Sequence, residues 1–231
     1  MPKVIICAGE EVYPRWNNFM GIPRHCISVE GEPLIHRTQR QLLNRGFTDV
    51  VVMCDAMRAS AYILNSQVQQ SNTPARNNDV RNNCTVWAYQ QHLNPDGPTV
   101  LMFADTYFTD AVMDNIAANV DRDFLVFGRW RRTQPYHSAN QESFAIVLSP
   151  VGKLKYLENL EVVVPKVAAQ AKGSPISGAA LTLNMYDTMR RKAPAEVASW
   201  WMECNDETED FDGASDWRRL HAHFPERFPK P

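Results

Sequence analysis

Five short runs, Val4-Ile5-Ile6, Val50 to Cys54, Thr99 to Ala104, Phe124 to Phe127 and Ser143 to Leu148, limit what this chain can become. Each is mostly apolar and short, and lacks the alternation of a half-exposed strand, the pattern of strands buried inside a sheet covered on both sides. Between the first two, Glu30-Gly31-Glu32-Pro33 reads as a turn after a short strand. Pro33 then opens a helix carrying Leu34, Ile35, Thr38, Leu42 and Leu43 on one side, and Gly46 closes it. Strand, helix and strand in that order predict a right-handed βαβ unit.

The alternation continues. Asp110 opens a helix to about Val120, Pro150 precedes one over Gly152 to Leu160, and Ser177 caps another to about Arg190 with Leu181, Met185 and Met189 at helical spacing. Trp200-Trp201-Met202 reads as the last strand, Ser215 or Asp216 starts a final helix, and Phe224 to Pro231 is a Pro-rich tail. The expectation is an α/β fold with three α/β/α layers and a Rossmann-like, mostly parallel sheet, in a single domain over residues 1–231. A helix near 56–65, a polar surface loop over 66–83 and a short strand over Cys84 to Ala88 complete the reading, and 162–177 gives little signal.

Composition excludes more than it selects. A chain of 231 residues with 44% hydrophobic content can bury a large core, and 24 basic against 26 acidic residues give no overall field to recruit nucleic acid. Five scattered cysteines without a CxxC pair fit a reducing, cytoplasmic compartment, and no apolar run is long enough for a signal core or membrane span. The histidines lack zinc spacing, and GxSxG, Walker and GxGxxG motifs are absent.

Candidate chemistry sits at strand ends, where ligands gather in open α/β sheets. After the first strand, Ala8-Gly9 lets the backbone approach a ligand, and Arg15 and Arg24 add fixed positive charge, making an anion-binding loop. Asp55 ends the second strand and Asp105 the third. Asp210 and Asp212, within Glu209-Asp210-Phe211-Asp212, fall on one side of an extended segment and could share a cation. Arg129-Trp130-Arg131-Arg132 reads as a loop able to clamp phosphate, stack on a base or meet a nucleic acid backbone. His137 and Glu142 flank the next strand.

The order Ala8-Gly9, Arg15, Gly21-Ile22-Pro23-Arg24 and Gly31-Glu32-Pro33-Leu34, with Asp105 and the Asp210-Phe211-Asp212 turn, resembles the sugar-phosphate nucleotidyltransferases, whose fold is shared with GT-A glycosyltransferases. The sequence departs from that pattern where Glu10-Glu11 replace the second loop glycine and Arg24 replaces a lysine. The resemblance implies that Ala8, Gly9, Arg15, Arg24 and Asp55 meet the nucleotide. Asp105, Asp210 and Asp212 would hold Mg²⁺ or Mn²⁺, and Arg129, His137 and Glu142 would line an acceptor or sugar pocket. The implied activity is Mg²⁺-dependent transfer of a nucleotidyl group from a nucleoside triphosphate to a phosphorylated small molecule, with pyrophosphate leaving. The alternatives are a GT-A glycosyltransferase using a nucleotide sugar, with a modified nucleic acid base among its acceptors, and a non-catalytic nucleotide-binding module.

Overall fold

The computed structural model describes residues 1–8, 21–54, 59–72, 92–171, 178–192 and 198–229. Gly9, Arg15, Asp55, the strand expected at Cys84 to Ala88 and the cap expected at Ser177 lie outside these residues. In chain order the strands are β1 (Lys3–Cys7), β2 (Ser28–Val29), β3 (Glu32–Pro33), β4 (Asp49–Cys54), β5 (Val68–Asn72), β6 (Thr99–Phe103), β7 (Thr106–Tyr107), β8 (Phe124–Arg129), β9 (Glu142–Leu148), β10 (Trp201–Glu203) and β11 (Glu209–Asp210). The helices are α1 (Leu34–Asn44), α2 (Ala59–Tyr62), α3 (Asp110–Ala118), α4 (Pro150–Ala171), α5 (Gly178–Lys192) and α6 (Ala214–His223).

Seven strands form the main sheet in the order β10-β8-β9-β6-β1-β4-β5. Only β9 runs antiparallel to its neighbours, β6 and β8. Because successive side chains point to opposite faces, β1 splits its apolar run: Val4 and Ile6 join Val50, Val52, α1 and α3 on one side. Ile5 and Cys7 join Val51, Met53, α4 and α5 on the other. That division makes the three layers, and each fully buried Val or Ile contributes about 1.5–3 kcal/mol relative to an exposed one. Gly46, at φ +82°, ends α1 in the left-handed conformation that glycine adopts without a Cβ penalty.

Several boundaries differ from the sequence reading, each for a local reason. The helix expected over 56–65 is described only as the four residues of α2. Within the expected loop at 66–83, Val68–Asn72 is instead β5, pairing in parallel with β4 from Val50↔Val68 to Cys54↔Asn72. Its Gln69 and Gln70 are exposed while Val68 is buried, so an edge strand hid behind polar composition. The helix expected to stop near Leu160 continues to Ala171. Leu160, Val163, Val164 and Val167 bury at helical spacing, whereas Pro165 faces outward.

A smaller core lies beside the sheet. Ile27, Val29, Leu34, Tyr107, Phe211, Trp217, Leu220 and Phe228 pack together, joining the segment before α1 to β7, α6 and the C-terminal tail. The tail is anchored there by Phe228, which is fully buried, and by Glu30 N donating to Arg227 O at 2.7 Å.

Candidate active site

β1, β4 and β6 end level, with Cys7 opposite both Met53 and Phe103. Beyond them Ala8 N donates to Met53 O and Ala104 N to Cys7 O, so Asp105 emerges at the shared carboxyl edge. The next two residues form β7, which pairs antiparallel with β11: Thr106 opposes Asp210 and Tyr107 opposes Glu209. Phe211 N donates to Asp105 O at 2.9 Å, extending this ladder by one bond. Asp105 and Asp212, remote in sequence, are thereby set side by side.

Arg24 completes the group from a 3-10 turn, Arg24–Cys26, that follows Pro23. Its Nη1 lies 2.9 Å from Asp105 Oδ2 and 3.4 Å from Asp212 Oδ1, and donates to Phe211 O at 3.2 Å. The Arg24 side chain is 8% exposed and that of Asp105 16%, so these contacts are weakly screened by water. Asp212 is more open, at 40%, and faces a cavity of about 400 Å³. Ser138, Asn140, Glu142, Asp210, Asp216 and Arg219 also line that cavity.

Glu142 and Asp210 give the cavity its acidity. Burial, reinforced by Asp212 and Glu209, pushes the Glu142 carboxyl up to about 8. Burial followed by Glu142 and Asp212 raises Asp210 well above the carboxylate range. Both carboxyls hold their protons more tightly than exposed carboxylates do. At the cavity floor, α6 begins after Gly213, whose N–H donates to Asp216 Oδ2 at 2.7 Å and caps the helix.

No family model matches the sequence, and no curated protein matches it either. Solved structures do. A Bacillus anthracis protein assigned as a glucose-1-phosphate thymidylyltransferase, crystallised with sucrose, has a TM-score of 0.65 at 12% identity, over 96% of this chain and 95% of that one. UDP-glucose pyrophosphorylase from Acinetobacter baumannii gives 0.58 at 11% identity, over 100% and 95%. CTP:phosphocholine cytidylyltransferase from Streptococcus pneumoniae gives 0.53 at 16%, over 96% and 98%. The chain has the sugar-phosphate nucleotidyltransferase fold.

Within the nucleotidyltransferase fold the expected site residues separate into two sets. Ala8, Arg24, Asp105, Asp210, Asp212 and Glu142 lie around the carboxyl edge and its cavity. Asp105, Asp210 and Asp212 do not gather as a three-ligand metal group, and no group of three or more His, Cys, Asp or Glu does so among the described residues. Asp210 stands with Glu142 instead, its charge opposed by that neighbour. Two carboxylates remain, Asp105 and Asp212, both directed at one nitrogen. A pair of hard oxygen donors fits Mg²⁺, which commonly takes one or two protein carboxylates and fills its octahedron with phosphate oxygens and water.

The second set is structural. Arg129, expected in a loop able to clamp phosphate and in an acceptor or sugar pocket, instead ends β8 with 0% exposure, its Nη2 donating to both Glu209 oxygens at 2.8 and 3.0 Å and its Nη1 to Thr208 O at 3.0 Å. Gly128, just before it, leaves no room for a side chain: a Cβ there would stand 2.4 Å from Glu142 O and 2.6 Å from the Trp201 ring. His137 is also fully buried. Its Nε2 lies 2.7 Å from Asp206 O, its Nδ1 3.1 Å from Thr133 Oγ1, and burial lowers its pKa. Neither side chain reaches the cavity lining. Sequence reasoning missed Ser138, Asn140 and Arg219 in that lining; Arg219, one turn after the Asp216 cap, was the most legible of them.

Proposed function

We propose that this chain is a Mg²⁺-dependent nucleotidyltransferase that joins a nucleoside triphosphate to a phosphorylated small molecule of the sugar-phosphate class. The observation that supports this most is the meeting of Asp105, Asp212 and Arg24 at the carboxyl edge of β6. In the reaction, a phosphate oxygen of the acceptor attacks the α-phosphorus, the α–β bridging bond breaks, and its electrons leave with pyrophosphate. Asp105 and Asp212 would hold the divalent cation, which supplies charge to neutralise the phosphates. Arg24 contributes a permanent positive charge with several N–H donors, suited to phosphate oxygens. Glu142 and Asp210 border the space for the acceptor, and their raised pKa values keep that wall from presenting its full negative charge to an incoming phosphate ester. No covalent enzyme intermediate is required; positioning and charge neutralisation carry the rate.

The test is pyrophosphate release from each nucleoside triphosphate in the presence of Mg²⁺ and a panel of sugar phosphates and phosphorylated alcohols. Activity is expected with at least one pair and is expected to fall about 10²–10³-fold in Asp105→Asn and Asp212→Asn, the scale of losing one preorganised charge contact. The double variant should be little worse than either single one, because the carboxylates act as a unit. Consumption of a nucleotide sugar without any pyrophosphate release would replace this reading with glycosyl transfer.

A further inference from the structure

The proposed function gives Arg24 to phosphate and the two aspartates to a cation, yet in the structure the three groups are engaged with one another. Arg24 Nη1 contacts both carboxylates and Phe211 O at once. We infer that Arg24 is a tethered substitute for the divalent cation, neutralising Asp105 and Asp212 in the nucleotide-free protein and transferring to phosphate when cation and nucleotide enter together. This inference rests on the proposed function, whose cation and phosphates it places in order.

A Mg²⁺ ion held by both carboxylates needs their oxygens at about 2.0–2.1 Å, which puts it beside the nitrogen those oxygens already contact. Arginine keeps its charge at any pH of interest, so the conflict cannot be relieved by deprotonation. Poor exposure of Arg24 and Asp105 leaves little water to screen it. The guanidinium must therefore move for the ion to bind. A metal ion arriving alone forces Arg24 from three acceptors and offers nothing in return. A metal–triphosphate complex brings acceptor oxygens for the displaced guanidinium. The two ligands are thus coupled, each binding better with the other present.

The test uses Mn²⁺ as the probe, measured by electron paramagnetic resonance of the free ion, with wild type, Arg24→Lys and Arg24→Met. In the absence of nucleotide, Arg24→Met is expected to bind Mn²⁺ on the order of tenfold tighter than wild type or better, since the competing charge is gone. Arg24→Lys retains the charge and is expected to bind as weakly as wild type. Adding Asp105→Asn to Arg24→Met should abolish the gain. Mn²⁺ should also raise the melting temperature of Arg24→Met more than that of wild type, because the variant has lost the Arg24 charge beside the carboxylates. In wild type, non-hydrolysable triphosphate analogues should tighten Mn²⁺ binding beyond the affinity of the analogue itself for the ion. Folded Arg24→Met binding Mn²⁺ no better than wild type would overturn the inference. Should Arg24→Met fail to fold, equal wild-type affinity for Mn²⁺ with and without the analogues would overturn it instead. Pyrophosphate release by wild type separates the two claims: transfer with no gain in Arg24→Met sinks this inference alone, and a gain with no transfer from any triphosphate sinks the proposed function alone.

Discussion

Replacing Arg129 by methionine should be among the most damaging single changes in this protein, and the loss should appear in stability before activity. Arg129 and Glu209 are both at 0% exposure. Removing the guanidinium takes two N–H donors from Glu209, at 2.8 and 3.0 Å, and one from Thr208 O, at 3.0 Å. Glu209 would retain Ser138 N at 2.8 Å and a longer contact to Arg219 at 3.7 Å. A hydrogen bond to a charged group is worth about 1.5–3 kcal/mol, but these share partners and do not add. The relevant scale is the ~3–5 kcal/mol for stranding one member of a buried ion pair. At roughly 2–4 °C per kcal/mol for a chain of this size, the melting temperature should fall by about 6–20 °C. Scanning calorimetry on Arg129→Met, Glu209→Gln and a double apolar variant checks it; the double variant should recover part of the loss, because no charge remains buried. A folded Arg129→Met melting within about 2 °C of wild type would refute the reasoning and return Arg129 to the candidates for ligand contact.

Two further outcomes follow from the same region. The Glu142 carboxyl, ordinarily near 4.5 and pushed up to about 8 by burial and then by Asp212 and Glu209, holds a proton in the folded chain that the unfolded chain releases. Its contribution to stability is therefore greatest below about 4.5 and declines as pH rises toward 8. Urea denaturation without divalent cations should show this decline weakened in Glu142→Gln, and equal slopes in both proteins would reject it. Gly128→Ala should destabilise by about 1–3 kcal/mol, because the added carbon would meet Glu142 O and the Trp201 ring. Unchanged thermal stability would mean that the strand pairing, whose register shifts between Phe127 and Gly128, yields without strain.

What could be read from sequence depended on how local the cause was. β1, β4 and β6 were legible because burial on both faces writes a continuous apolar run. α1 was legible from Pro33 and Gly46. β5 was not, since an edge strand needs only one apolar contact and Val68 alone supplied it against Gln69 and Gln70. The helix beyond Leu160 left little signal, because Pro165 follows a run of valines, and Val163, Val164 and Val167 show as one buried face only in the folded chain. Among site residues, Asp105 and Asp212 could be found as a strand end and an acidic turn. That Arg24 joins them could not, because its partners come from two distant segments. Arg129 was misplaced for a related reason: charge beside a glycine reads as a loop, and only the folded chain brings Glu209 to neutralise it.

The two-stranded ladder of β7 and β11 separates the protein's architecture from its candidate site. All seven strands of the main sheet precede Glu209, so the layered body is fully specified before the last segment takes part. Asp212, the cavity floor and the anchoring Phe228 arrive only with that segment, fastened by one short clasp and the small core beneath it. Such a clasp can open without melting the sheet, because it buries far less than the body does. Chain synthesis, which lays down the N-terminal elements first, assembles the scaffold early and the candidate site at the end. Mutations in the clasp that spare the Arg129–Glu209 pair would then leave the main sheet folded and the candidate site unassembled.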